Sequence, residues 1–241
     1  MRFNNYLNES FVDKLFKVFD KLNLDIKDSL SVGNMRKIAD AMAGAFNAKI
    51  KFTKGDLEGS VGITRGNEIS IAIPTGKVDP RDLLGTLFHE LAHVCQNNTH
   101  IHFHYLFPSA DSLWEFVQYF LQPQERSPKA LSVALSFIIN KIDPETTIKT
   151  VDTALIGAKD FHDAYDRMRS MVPVHGWDVK ELSDIFNFVL VYTAIRALSF
   201  QERGGVPKEN KTELKNQWYV FHKNFINSYK KLKFYFDKYG L

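Results

Sequence analysis

Apolar residues recur at helical spacing over most of this chain and at strand spacing in one stretch only. In ESFVDKLFKVFDKL (9–22), Phe11, Leu15, Val18, Phe19 and Leu22 line one side of a predicted helix; SVGNMRKIADAMAGAF (31–46) repeats the pattern behind Ser31 as a cap. Between residues 48 and 74 the period changes. AKIKFTK, SVGITRG and NEISIAIP are short runs of β-branched and apolar residues separated by the glycine turns KGDLEG and RGNE, which predicts a small antiparallel sheet of about three hairpin-connected strands. TGKVDPRD then supplies a helix start, with Asp79 as N-cap, Pro80 at the first position and Asp82 reaching back. That helix runs to about Asn97. Downstream, helices are predicted near 111–121, 128–140, 145–170, 179–203 and 212–238, interrupted at QPQERSP, KIDP, VPVHGWD and RGGVPKEN. The expected fold class is α+β, mostly helical, as one domain over 1–241. It comprises a helical pair (1–47), the sheet with the central helices (48–140) and a helical C-terminal part (141–241).

Composition narrows the partners. With 241 residues, 44% hydrophobic and 13% aromatic, the chain can bury a sizeable core. A formal charge of +3, from 31 basic and 28 acidic residues evenly mixed, demands neither a nucleic acid nor a membrane. The single cysteine, Cys95, rules out an intramolecular disulfide, and MRFNNYLNES lacks the apolar run of a secretory signal, so a reducing cytoplasm is expected. IFNFVLVYTAIRALSF, the most apolar run, contains Asn187, Thr193 and Arg196 and falls short of the roughly 20 apolar residues of a spanning helix. It reads as a buried helix.

The chemistry concentrates in GTLFHELAHVCQNN (85–98), which contains His-Glu-x-x-His. A hydrolytic zinc site needs two or three imidazoles or carboxylates and one open position, and two histidines four apart on a helix supply half of that. At roughly 100° per residue, His89, His93, Gln96 and Gly85 fall within about 80° of one another, while Leu84, Leu87, Phe88, Leu91, Val94 and Cys95 take the opposite side. Cys95 is thus expected as a small buried hydrophobe. Glu90 lies about 100° from His89, beside a metal rather than on it. A carboxylate there can take a proton from an activated water and pass it to a leaving amine. The bare motif is weak, since eight histidines produce it by chance in on the order of 1% of chains of this composition. The preceding strand, the N-cap and the segregated faces make Zn2+ the expected cofactor.

LLGTLFHELAHVCQ resembles the active-site helix of the zincin metallopeptidases, which packs under a small sheet whose edge strand precedes it. YFLQPQERSPKALSVAL is similar to the Tyr-x-x-x-Pro-x-Glu-x-x-x-x-Ala segment of small, often phage-encoded members of gluzincin type, with Tyr119, Pro123, Glu125 and Ala130 at its positions. The resemblance covers about residues 67–131. It implies a zinc-dependent metallopeptidase acting on a protein or peptide, with His89, His93 and Glu125 as metal ligands and Glu90 as general base. MRFNNYLNES also resembles the start of many tailed-phage proteins, which implies the host cytoplasm or a virion as location. One departure stands out: Ser127-Pro128 reads as an N-cap and first helical position, leaving Glu125 just before the helix. Glu202, in SFQERGG, is the other candidate third ligand. From a different class, a catalytically silent zincin-like structural or binding protein fits the same residues.

His100, His102 and His104 alternate in NNTHIHFHYLF and suit an extended segment, where they can supply a transition-state donor, a second metal site or ordinary surface. His175, Tyr105 and Tyr119 are further polar candidates to which no role is assigned. In the terminal segment, Phe221, Phe225, Tyr229, Leu232 and Phe236 form one stripe of a helix docked on the core.

Overall fold

The structure is a computed structural model that describes residues 11–22, 32–55, 57, 60–73, 80–96, 100–103, 113–159, 161–174, 183–198 and 208–239. Its elements are α1 (Val12–Leu22), α2 (Val32–Phe46), β1 (Lys49–Lys54), β2 (Ser60–Arg65), β3 (Glu68–Ile73), α3 (Pro80–Gln96), β4 (His100–Phe103), α4 (Leu113–Phe120), α5 (Arg126–Ile139), α6 (Pro144–Ala154), α7 (Phe161–Val174), α8 (Ser183–Ala197) and α9 (Lys208–Tyr239). The α+β class holds, with helix predominant. The expected caps Ser31 and Asp79 lie outside the described residues.

The described chain forms two compact units. The first takes its residues from Met1–His104, Ser127–Leu135 and Asn224–Leu241; the second takes them from Tyr105–Arg126 and Ser136–Lys223.

In the first unit, Phe11, Leu15, Val18 and Phe19 of the predicted stripe are buried and Leu22 is half-buried, and α1 also buries Val12 and Phe16, which widens the inner side. Phe11 meets Phe46 of α2 with ring centroids 5.2 Å apart, and Phe19 meets Phe88 of α3 edge-on at 6.5 Å. The end of α9 closes over α1. Phe16 stacks on Tyr235 at 4.3 Å, and Asp13 receives hydrogen bonds from Lys231 Nζ (2.8 Å) and the Tyr235 hydroxyl (2.7 Å).

The sheet departs from the expectation of hairpin-connected antiparallel strands. Its order is β1-β3-β2-β4, with β1 parallel to β3 and the other two pairings antiparallel. The β2–β3 hairpin turns at Gly66, whose φ of +63° favours glycine. β1 does not pair with β2, because β3 holds the position between them. Ile69 and Ile71 of β3 are fully buried, whereas β1 carries Lys49, Lys51 and Lys54, so the apolar strand takes an interior place and the lysine-rich one an edge. Stepping past one strand position requires about 10 Å. The five residues between β1 and β2 reach that easily. The fourth strand, β4, follows α3 and pairs with β2 through a register irregularity between Ser60 and Gly62.

In the second unit, α8 is buried nearly all round, from Ile185 to Ala197, as expected for the most apolar run. Trp218 of α9 packs on Phe188 and Tyr192, each with ring centroids 5.6 Å apart. The single helix predicted over 145–170 is two, α6 and α7. Asp143 caps α6 by accepting the Thr146 N–H at 2.7 Å, and Gly157, at φ +75°, ends the run. Arg167 of α7 then donates to the carbonyls of Ile156 and Gly157, which holds the break in place. No helix among the described residues is long and apolar enough to cross a membrane.

Candidate metal centre

α3 begins at Pro80, as the sequence predicts, and lies against α2, β2 and β3. Leu84, Leu87, Phe88 and Leu91 are buried on one side, yet the histidine side is buried too. His89, Glu90 and His93 are 0% exposed. Cys95, expected among the buried residues, is exposed instead. The apolar side of α3 loses its cover towards the end of the helix, where Val94 is half-buried and Cys95 exposed, while His93 on the other side stays buried.

Four-residue spacing brings the two imidazoles together edge to face, with His89 Nε2 and His93 Nε2 at 3.1 Å and an interplanar angle of 66°. At that distance two imidazole nitrogens share either a proton or a cation. Two nitrogens bound to one tetrahedral zinc at ~2.0–2.1 Å stand ~3.3 Å apart, so the pair needs almost no movement to become a ligand pair.

Glu125 stands immediately before α5, with φ −88° and ψ −29°, and its side chain makes no capping hydrogen bond. Its N–H donates to the Gln122 carbonyl at 2.9 Å, closing the turn that delivers it to the helix. Sequence reasoning put it just before the helix, which holds, but for the wrong residues. α5 starts at Arg126, and Ser127 is not the cap. Ser127 is the point where the first unit resumes, buried and accepting a hydrogen bond from Asn224 Nδ2 at 3.3 Å. Pro128 falls at the third helical position, where its missing N–H costs nothing because the first four N–H groups have no acceptor within the helix. A carboxylate before a helix N-terminus is stabilised by the amide dipoles. Glu125 is 1% exposed, and one ligand atom from each of His89, His93 and Glu125 lie within 4.8 Å of one another. Two nitrogens and a carboxylate oxygen are the donor types a zinc ion takes, so the residues fit such an ion.

Glu90 is seated against β2. Its Oε2 lies 2.5 Å from the Thr64 hydroxyl, which is also 3.3 Å from the Glu90 carbonyl. Two residues along the same strand face, a Cβ built on Gly62 would come within 2.6 Å of Glu90 Oε1 and 2.9 Å of its Cγ. Neither residue was identified as functional from sequence. A glycine inside a strand run signals a close approach, and SVGITRG contains that signal; Thr64 offers none.

Across the sheet, His102 pairs with Gly62 and His100 with Thr64, so the alternating histidines occupy register positions opposite the two β2 residues that meet Glu90. Tyr119 is half-buried on α4. His104, Tyr105, His175 and Glu202 lie outside the described residues.

Fold and site together define a mostly helical α+β chain with a buried His89, His93, Glu125 group that can hold a metal ion. Set against known proteins, the chain matches no family model, no curated protein and no solved structure.

Proposed function

We propose that this protein is a zinc-dependent metallopeptidase of zincin type, cutting a protein or peptide substrate in a cytoplasmic setting, and phage-encoded. The observation that carries the proposal is the buried convergence of His89, His93 and Glu125, with Glu90 next to it on the same helix. His89 and His93 would hold the ion through imidazole nitrogens and Glu125 through its carboxylate. Zinc bound there supplies Lewis acidity, acidifying a water and polarising a carbonyl. Glu90 is the proton carrier: its carboxylate takes the proton from the attacking water and delivers it to the leaving amine. Burial sharpens this role, because a carboxylate out of water interacts more strongly with charge that develops beside it.

Metal analysis of the purified protein tests the centre, with about one zinc per chain expected and a lower melting temperature on adding a chelator. Absence of zinc together with unchanged melting would refute it. Glu125→Ala is expected to lose zinc and Glu202→Ala to retain it; the reverse makes Glu202 the ligand. Cleavage of a mixed peptide library by wild type and not by Glu90→Gln supports the peptidase.

A second reading draws on the near-complete burial of all four groups, 0–1% exposed. A structural metal centre is closed, with no open position for a substrate, as in a catalytically silent structural or binding protein. Zinc without Glu90-dependent cleavage would select that reading.

A further inference from the structure

We propose that Thr64 is a positioning residue for Glu90, and that β2 rather than α3 alone sets where the Glu90 carboxylate stands. The inference rests on the peptidase reading for its catalytic meaning, though the seat itself is a property of the folded chain.

Three observations converge on it. Thr64 is fully buried, and its hydroxyl lies 2.5 Å from Glu90 Oε2, a short hydrogen bond. Gly62, on the same face of β2, leaves the space that the rest of the Glu90 side chain fills, and an ideal Cβ there would lie 2.6, 2.9 and 3.0 Å from Oε1, Cγ and Cδ. β2 is itself held between β3 and β4, so the seat belongs to an interior strand and not to a free edge. A glutamate on a helix has three side-chain torsions and would otherwise sample several rotamers. With one oxygen bonded to Thr64 and the stem lodged over Gly62, it is confined to one. That is preorganisation of a proton carrier: the cost of fixing the carboxylate is met in folding instead of at the moment of reaction.

Thr64→Val removes the hydroxyl and keeps the shape; Thr64→Ser keeps the hydroxyl. On a cleaved peptide, Thr64→Val is expected to lower kcat on the order of ten- to a hundredfold with KM within about twofold, because a misplaced base slows chemistry without weakening substrate binding. Thr64→Ser is expected to recover most of kcat. A merely structural role would not separate kcat from KM in this way.

The second readout needs no activity. In metal-free protein, Thr64→Val should raise the unfolding equilibrium constant on the order of ten- to a hundredfold, and by clearly less in a Glu90→Ala background, where the carboxylate bond is gone and only the longer contact to the carbonyl of residue 90 remains. If Thr64→Val does not fold alone, recovery of folding in the Glu90→Ala background supports the seat, and failure there overturns it. Equal kcat in Thr64→Val and wild type, or the same destabilisation in both backgrounds, also overturns the proposal. Should wild type cleave no peptide, the peptidase reading fails, and the metal-free comparison still decides whether Thr64 seats Glu90.

Discussion

A methyl group at position 62 probes the site by space alone. Gly62 is not at a positive φ, so alanine can adopt its backbone without strain and any effect must come from what the Cβ meets. It meets Glu90 at 2.6, 2.9 and 3.0 Å, inside normal contact for all three atoms. The carboxylate is the end of a flexible chain and could swing away cheaply in the open. Here it is fully buried and bonded to Thr64, so moving it sacrifices that bond and disturbs its neighbours. Losing a hydrogen bond to a charged group costs about 1.5–3 kcal/mol, and overpacking adds about 1–3 kcal/mol. Against this stands about 0.4–1 kcal/mol gained from the smaller conformational freedom of alanine in the unfolded chain. Gly62→Ala should therefore destabilise the protein by about 2–5 kcal/mol.

Urea unfolding of metal-free Gly62→Ala and wild type, each with and without Glu90→Ala, provides the assay. The Glu90→Ala change deletes every Glu90 atom that the new Cβ would strike. In that background Gly62→Ala should be neutral, or more stable by about 0.4–1 kcal/mol. An equal loss in both backgrounds would place the clash elsewhere, and no loss in the Glu90 protein would show that the carboxylate is not held. Either result refutes the reasoning.

Three other expectations follow from single interactions. Burial alone would raise the Asp13 carboxyl, but hydrogen bonds from Lys231 and Tyr235 and the charges of Lys231 and Lys17 hold it below its ordinary 3.8. A depressed folded value stabilises the fold above that pH and loses the contribution as pH falls through it, so the melting gap between wild type and Asp13→Asn should be full at neutral pH and close below about pH 4. Burial, reinforced by the Asp152 carboxylate at 2.8 Å, pushes the Tyr192 hydroxyl up to about 12. Ultraviolet titration should find one tyrosine ionising there and see it move toward 10 in Asp152→Asn; no movement would remove Asp152 as a cause. Gly157→Ala forces an L side chain to φ +75° and should cost about 1–2 kcal/mol in thermal unfolding, with Gly157→Asn costing less.

The helices that were legible in the sequence are those whose burial is decided by their own period. Phe11, Leu15, Val18, Phe19 and Leu22 predict the inner side of α1, and Phe221, Phe225, Tyr229, Leu232 and Phe236 that of α9; all are buried except Leu22 and Tyr229, which are half-buried. The break at Gly157 was not legible. PETTIKTVDTA and FHDAYDRMRS are both acceptable helix, and one glycine between them is tolerated in many helices; here Gly157 takes a positive φ, and Arg167 reaching back from α7 holds the break. The strand order was hidden for a similar reason. Turn residues predict that the chain reverses, but not which strand occupies the interior, and that choice depends on burying Ile69 and Ile71 of the most apolar strand.

The candidate site divides along the same line. His89 and His93 are legible because both ligands lie on one helix, where spacing alone fixes their geometry. Glu125 is placed by a turn ending one residue before α5, which is why Ser127-Pro128 gave the right position for the wrong reason. Thr64 and Gly62 gain their role from β2 lying against α3, a placement that strand spacing does not predict. A Thr-x-Gly or Gly-x-Thr pair in a strand has no chemistry until topology brings a carboxylate to it. Residues that support a motif from another element are therefore invisible to motif reading in general, and the place to look for them is the glycine whose missing Cβ a functional side chain has filled.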